Sequence, residues 1–206
     1  MSRAGICLCV AVCLGIPACG SVIRQSPPMA VYDLGPVAEA FVPQGEWPAL
    51  ALEVRSPVWL DSSGIDFRLA YDDPLRRRQY ASSRWLASPR QLLAQRLREQ
   101  LGLQGVIAGV AAACMLRVEL QEFSHAFDSP QASRGTLQAQ LLVIGAKRQV
   151  LAGRRFLAEH HAATPDARGG VAALVAASDS LGNQIKDWLG AEARRGSLRD
   201  CRSGGA

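Results

Sequence analysis

Arg3 is followed by fifteen residues without a charge, Ala4 to Ala18, and the run closes on Ile16-Pro17-Ala18-Cys19. A positive residue, a short apolar stretch and a small residue at the cut make an export leader, and a cysteine directly after that small residue makes it a lipoprotein leader. Cys7, Cys9 and Cys13 follow Ile6, Leu8 and Val12, so only Cys19 has the required neighbour. Residues 1–18 are therefore read as a signal peptide and Cys19 as the lipidation site. The competing reading is an uncleaved membrane helix, because Ala4 to Ile23 comes close to the ~20 residues a span needs. Pro17 and Ser21 count against it. Each buried acyl methylene contributes about 0.8 kcal/mol, and several chains on one sulfur hold stably where one binds reversibly. Gly20 stands where an Asp would retain a bacterial lipoprotein at the inner membrane, so the expected address is the periplasmic face of the outer membrane.

This leader sets the terms for the fold. It leaves 188 residues, enough for one good core and short for two. One of the 23 basic residues departs with it, leaving 22 against 18 acidic ones. That mild excess is spread along the chain, and no aromatic interleaving marks a nucleic-acid surface. Arg76-Arg77-Arg78 is the one basic triplet, read as a solvated hairpin end in preference to an anionic-lipid contact. Of six cysteines, three leave with the leader and Cys19 is acylated. Cys114 and Cys201 remain, either as a disulfide suited to an oxidising periplasm or as one buried thiol and one tail thiol; spacing does not decide between them.

Residues 19–30 are polar and proline-bearing, a tether whose stretch from Gly20 to Met29 could extend roughly 33 Å. A domain over 31–190 and a tail over 191–206 follow. Leu50, Leu52, Val54 and Val58 alternate with Ala51, Glu53, Arg55 and Pro57 as in a half-buried strand, and Ile65, Phe67, Leu69 and Tyr71 repeat the pattern. Asp72-Asp73-Pro74 is a turn, with Arg78 to Ser82 returning as the second arm. Ser88-Pro89 with Gln91 opens a helix with a capping box, Leu93, Leu97 and Leu101 line one face, and Gly102 ends it. Cys114, Leu116, Val118 and Leu120 alternate, but Phe123 and Phe127 fall out of phase, which calls for a bulge near Glu122. Leu137 to Val143, a turn at Gly145 to Arg148, and Val150 to His160 make a long hairpin. Thr164-Pro165-Asp166 starts a last helix with a stripe from Val171 to Trp188. The expected fold is α+β, a mostly antiparallel sheet with two helices packed on one face.

Motifs for several chemistries are missing. There is no GxxxxGK[ST] phosphate loop, no GxSxG elbow and no HExxH. His160 and His161 are adjacent and would point to opposite faces of a strand, so a solvent-exposed strand end suits them better than one metal. No catalytic residue, metal ligand or cofactor beyond the covalent lipid is expected, and an enzyme is unsupported.

Placed in order, Tyr32-Asp33-Leu34-Gly35-Pro36, Tyr80-Ala81-Ser82-Ser83-Arg84-Trp85 before the Ser88-Pro89 helix, Leu116 to Phe123 with Phe127-Asp128-Ser129-Pro130, and Ala163 to Ala167 leading into the Trp188 helix resemble the ABC-type transport auxiliary lipoprotein family. His125 stands where that pattern has Gln. The resemblance implies a periplasmic, outer-membrane-anchored partner of a transporter that also has a permease, an ATPase and an MCE-domain (mammalian cell entry) protein. The cargo would be phospholipid or another hydrophobic molecule. Tyr80, Arg84 and Trp85 lie together between hairpin and helix and are residue types enriched at binding hot spots. They are the expected docking face for an MCE-domain protein or a second copy of this chain. On the other reading Tyr80 and Trp85 close the core beneath the first helix. Two rival functions are a lipid-binding lipoprotein and an assembly or plug subunit for an outer-membrane barrel.

Overall fold

The computed structural model describes residues 28–37, 47–103 and 112–202, so Cys19 lies outside the described residues. Three strands come first: β1 (Ala30–Tyr32), β2 (Leu50–Arg55) and β3 (Gly64–Leu69). β4 (Asp73–Trp85) leads into helix α1 (Pro89–Leu101). β5 (Cys114–Phe127), β6 (Ser133–Ile144) and β7 (Val150–His161) form a meander, and helix α2 (Ala167–Arg195) follows. The strands make one sheet in the order β1-β4-β3-β5-β6-β7. β2 and β3 share the remaining side of β5, both parallel to it, β2 along Cys114 to Glu119 and β3 along His125 to Phe127. The long ladders of β3 with β4, β5 with β6 and β6 with β7 are antiparallel. The fold is therefore α+β with a mostly antiparallel sheet, as the pattern of elements implies.

The strand expected to reach Val58 stops at Arg55. Pro57 cannot donate to a ladder, and its carbonyl instead accepts from the Leu60 amide at 2.9 Å, closing a 3-10 turn over Val58–Leu60. Val58 is left 89% exposed. The break in phase along β5 is a one-residue bulge: Leu120 pairs with Ala139 and Glu122 with Gln138, so Gln121 has no opposite number. Phe123 and Phe127 thereby join Leu116, Val118 and Leu120 on the buried side.

Both helices cover that side. In α1 the Gln91 Oε1 accepts from the Ser88 amide and hydroxyl at 3.2 and 3.1 Å, and Gly102 closes the helix in the left-handed region. Asp166 caps α2 by accepting from the Gly169 amide at 2.8 Å. Leu174, Leu181 and Ile185 of α2 are fully buried against Leu137, Leu141 and Val143 of β6 in one continuous core. α1 approaches α2 closely at Gly182, where a Cβ would lie 2.0 Å from Gln100 Oε1. The Gln100 amide uses that space to donate to the Asp179 carbonyl at 2.9 Å. Cys114 and Cys201 form a disulfide, 87 residues apart in sequence, with their Cα atoms 5.2 Å apart. The boundary drawn at residue 190 thus falls inside α2, and Leu198 and Cys201 belong to the core. No described helix is long and apolar enough to cross a membrane.

Candidate functional site

The three residues expected to form one docking face are divided between two sides of the sheet. On a regular strand Tyr80 and Arg84 would share a face and Trp85 would oppose them. The ladder between β3 and β4 is irregular there: from Gly64 opposite Arg84 to Asp66 opposite Gln79, β3 advances two residues and β4 five. The extra residues change the phase of β4. Trp85 turns into the core, 1% exposed, with its ring 5.6 Å from that of Phe123. Tyr80 also faces inward, and Arg84 alone stays exposed. Trp85 therefore closes the core and is no surface residue; the reason is the irregularity, which a two-residue period does not reveal.

Tyr80 is held by a group that the sequence reading did not pair with it. Its hydroxyl lies 2.7 Å from His125 Nδ1 on β5, and its ring packs at a tilt against Phe67 with the centroids 4.7 Å apart. His125 is fully buried, with Phe127 at 4.4 Å and the start of α2 above it. Gly170 makes that fit, since a Cβ there would come within 2.3 Å of Nδ1. Burial pushes the His125 pKa down to about 4, opposed by the Asp166 carboxylate, and burial likewise pushes the Tyr80 phenol upward. The pair is a neutral hydrogen bond across the sheet. Asp166 itself is held below the ordinary carboxylate range chiefly by the Gly169 N–H.

The Arg84 side chain forms no hydrogen bond or ion pair with any described residue. It lies level with Val31 on β1, and the Leu86 amide donates to the Tyr32 carbonyl at 2.6 Å. On its other side the Trp85 amide donates to Ser63 at 2.7 Å, which brings the Val58–Leu60 turn alongside. Asp61 fastens that turn to α1 through two bonds from Arg90 at 3.1 Å. Backbone pairing thus brings the segments that carry exposed Val31, Leu86, Val58 and Trp59 to the end of β4 where Arg84 lies. This corner of the sheet is also where the first strand, β1, begins.

A second feature absent from the sequence reading fixes the chain just past this corner. Arg96 of α1 is 4% exposed. Its guanidinium donates to the carbonyls of Leu34 and Gly35 and, through Nε at 2.8 Å, to the Asp179 carboxylate on α2. Asp33 accepts from the Gly35 amide at 2.8 Å, and Gly35 takes φ +67°, so this short segment is a turn shaped to present both carbonyls. Arg96 falls on the same helical face as Leu93 and Leu97. A cation inside an apolar stripe was the available signal.

The side of the sheet away from the helices is polar and ion-paired. Arg77 bridges buried Asp66 at 2.6 Å and Glu122 at 3.0 Å there, while Arg78, level with Phe67 on the opposite side, pairs with Asp72 at 3.1 Å, so two members of the arginine triplet are engaged and not simply solvated. His160 and His161 lie exposed at the end of β7. Among the described residues no group of His, Cys, Asp or Glu could hold a metal. What the arrangement offers is buried support on one side of the sheet and contact surface on the other.

The family described as ABC-type transport auxiliary lipoprotein component matches residues 32–186. No curated protein sequence matches. In fold, the chain is similar to a crystal structure of a Xanthomonas campestris protein of the DUF330 family, with a TM-score of 0.67 and 17% identity. That likeness covers 82% of this chain and 99% of the other. A second crystal structure, of an uncharacterised protein, matches with a TM-score of 0.61 and 17% identity over 79% of this chain and 99% of its own. At such identity these likenesses speak for the fold alone.

Proposed function

This chain belongs to the ABC-type transport auxiliary lipoprotein family, and from that membership we propose that it is anchored through Cys19 to the outer membrane. There it serves as the periplasmic partner of an MCE-domain protein in a system moving phospholipid or another hydrophobic molecule. The observation that carries the reading is the family match from Tyr32 to Lys186, which runs from the Arg96-bound turn into the second half of α2. It acts by docking and not by catalysis. ATP is hydrolysed elsewhere in the system, consistent with a sequence that has no phosphate loop.

The docking surface is the side of the sheet that the helices leave open. Leu142, Ile144 and Met115 are partly buried on it, and Leu157 is 54% exposed. A photocrosslinker in place of Leu157 should yield an adduct with the MCE-domain protein in envelope extracts. Extracts that contain that protein and give no adduct would remove the docking surface. For the anchor, Cys19→Ala should release the protein into the soluble periplasmic fraction or leave its leader uncut, whereas unchanged membrane association would argue for a spanning helix.

A further inference from the structure

The geometry points to a second membrane contact besides the lipid anchor: we infer that the apolar corner around Arg84 rests on the bilayer that holds Cys19. This rests on the anchoring proposed above. Five of the nine large apolar side chains that the described residues leave in water belong to the segments that meet here: Met29, Val31, Val58, Trp59 and Leu86, with exposures from 47 to 89%. That meeting follows from backbone pairing. Val31 lies level with Arg84, Leu86 bonds to Tyr32, and Trp85 bonds to Ser63 beside the Val58–Leu60 turn.

What covers such a patch is indicated by where the preceding chain ends. Pro28 is nine residues beyond Cys19, a span of roughly 30 Å when extended and nearer to about 17 Å as a flexible coil. Met29 and Val31 are therefore among the first residues of the fold to meet the membrane surface, and tethering keeps them at high effective concentration there. The chemistry matches that surface. Trp59 has the amphipathic ring favoured at the headgroup level. The Arg84 guanidinium is suited to lipid phosphates and has no partner among the described residues, and the Asp61 carboxylate that follows the Val58–Leu60 turn is taken by Arg90.

Trp59 also supplies the test. The chain has four tryptophans, and Trp47, Trp85 and Trp188 are buried while Trp59 is 65% exposed, so a change of emission on membrane contact reports Trp59. The mature lipidated chain is incorporated into phosphatidylethanolamine and phosphatidylglycerol vesicles, with and without lipids brominated in their acyl chains. Expected results are a blue shift, loss of most Trp59-dependent emission in the brominated vesicles, and disappearance of both in Trp59→Phe. Val31→Glu with Leu86→Glu should restore the emission while the protein still floats with the vesicles. If the wild-type chain floats but its emission is the same in both vesicles, the inference is overturned and the anchor stands. Failure to float overturns the anchor and this contact together. A photocrosslinker at Arg84 that captures a protein in cells, a second copy included, would overturn the membrane assignment and return the corner to a protein partner.

Discussion

Tyr80 and Arg84 stand four residues apart on one strand and meet opposite surroundings. Tyr80 is pressed between Phe67 and a buried imidazole under the start of α2, whereas Arg84 faces water among side chains that have nothing to pack on. Composition does not separate them, since each stands close to the same kinds of neighbour, Arg78 two residues from Tyr80 and Trp85 next to Arg84. The separation comes from the irregular ladder with β3, which turns Trp85 inward and leaves Arg84 outside. A strand can thus change phase partway along, so that Tyr80 serves the core, Arg84 the surface and its neighbour Trp85 the core again, without a change in residue type.

The sharpest way to break this contrast is to remove the two neighbours one at a time. Trp85→Ala empties a fully enclosed site and should cost about 3–5 kcal/mol, read as a fall in the urea midpoint. A loss under about 1 kcal/mol would mean that the indole is not the core residue described here. The buried end responds to acid. His125 has a folded pKa of about 4 against an ordinary 6.5, so the unfolded chain binds the extra proton between those values. Stability from keeping the ring neutral is full above about pH 6.5 and declines as pH falls toward about 4, by roughly 2–3 kcal/mol in all. His125→Gln should flatten the part of the acid sensitivity that comes from this ring. Equal losses of midpoint in wild type and variant between about pH 7 and about pH 4.5 would refute the pairing with Tyr80 as a neutral bond. The smallest effect belongs to the outer end: Arg84→Ala should change stability by no more than about 0.5 kcal/mol in solution, and a larger drop would reveal a structural partner.

The local elements were legible because local chemistry specifies them. Ser88, Gln91, Gly102 and Asp166 mark helix ends through bonds within a few residues, and the out-of-phase Phe123 betrays the bulge at Gln121. The two-helix, mostly antiparallel plan follows from such marks. What stayed hidden depends on partners distant in sequence. That β2 and β3 both lie parallel to β5 is a matter of which edges meet. Tyr80 finds His125 45 residues away, and Arg96 reaches Leu34 and Asp179 across 62 and 83 residues. The two readings of Tyr80, Arg84 and Trp85 could not be separated for the same reason: proximity along the chain places the three together, and only the pairing with β3 sends Tyr80 and Trp85 to the core and Arg84 outward.

The Arg96 clamp would have a mechanical consequence for a domain suspended from Cys19 as proposed. Tension arriving at residue 28 meets a strand of three residues and then the Leu34 and Gly35 carbonyls gripped by Arg96. From there Arg96 passes the load to Asp179, and Asp179 lies within the covalent ring closed by Cys114 and Cys201. A pull that would otherwise peel the first strand away is thus handed to the part of the molecule whose ends are chemically joined.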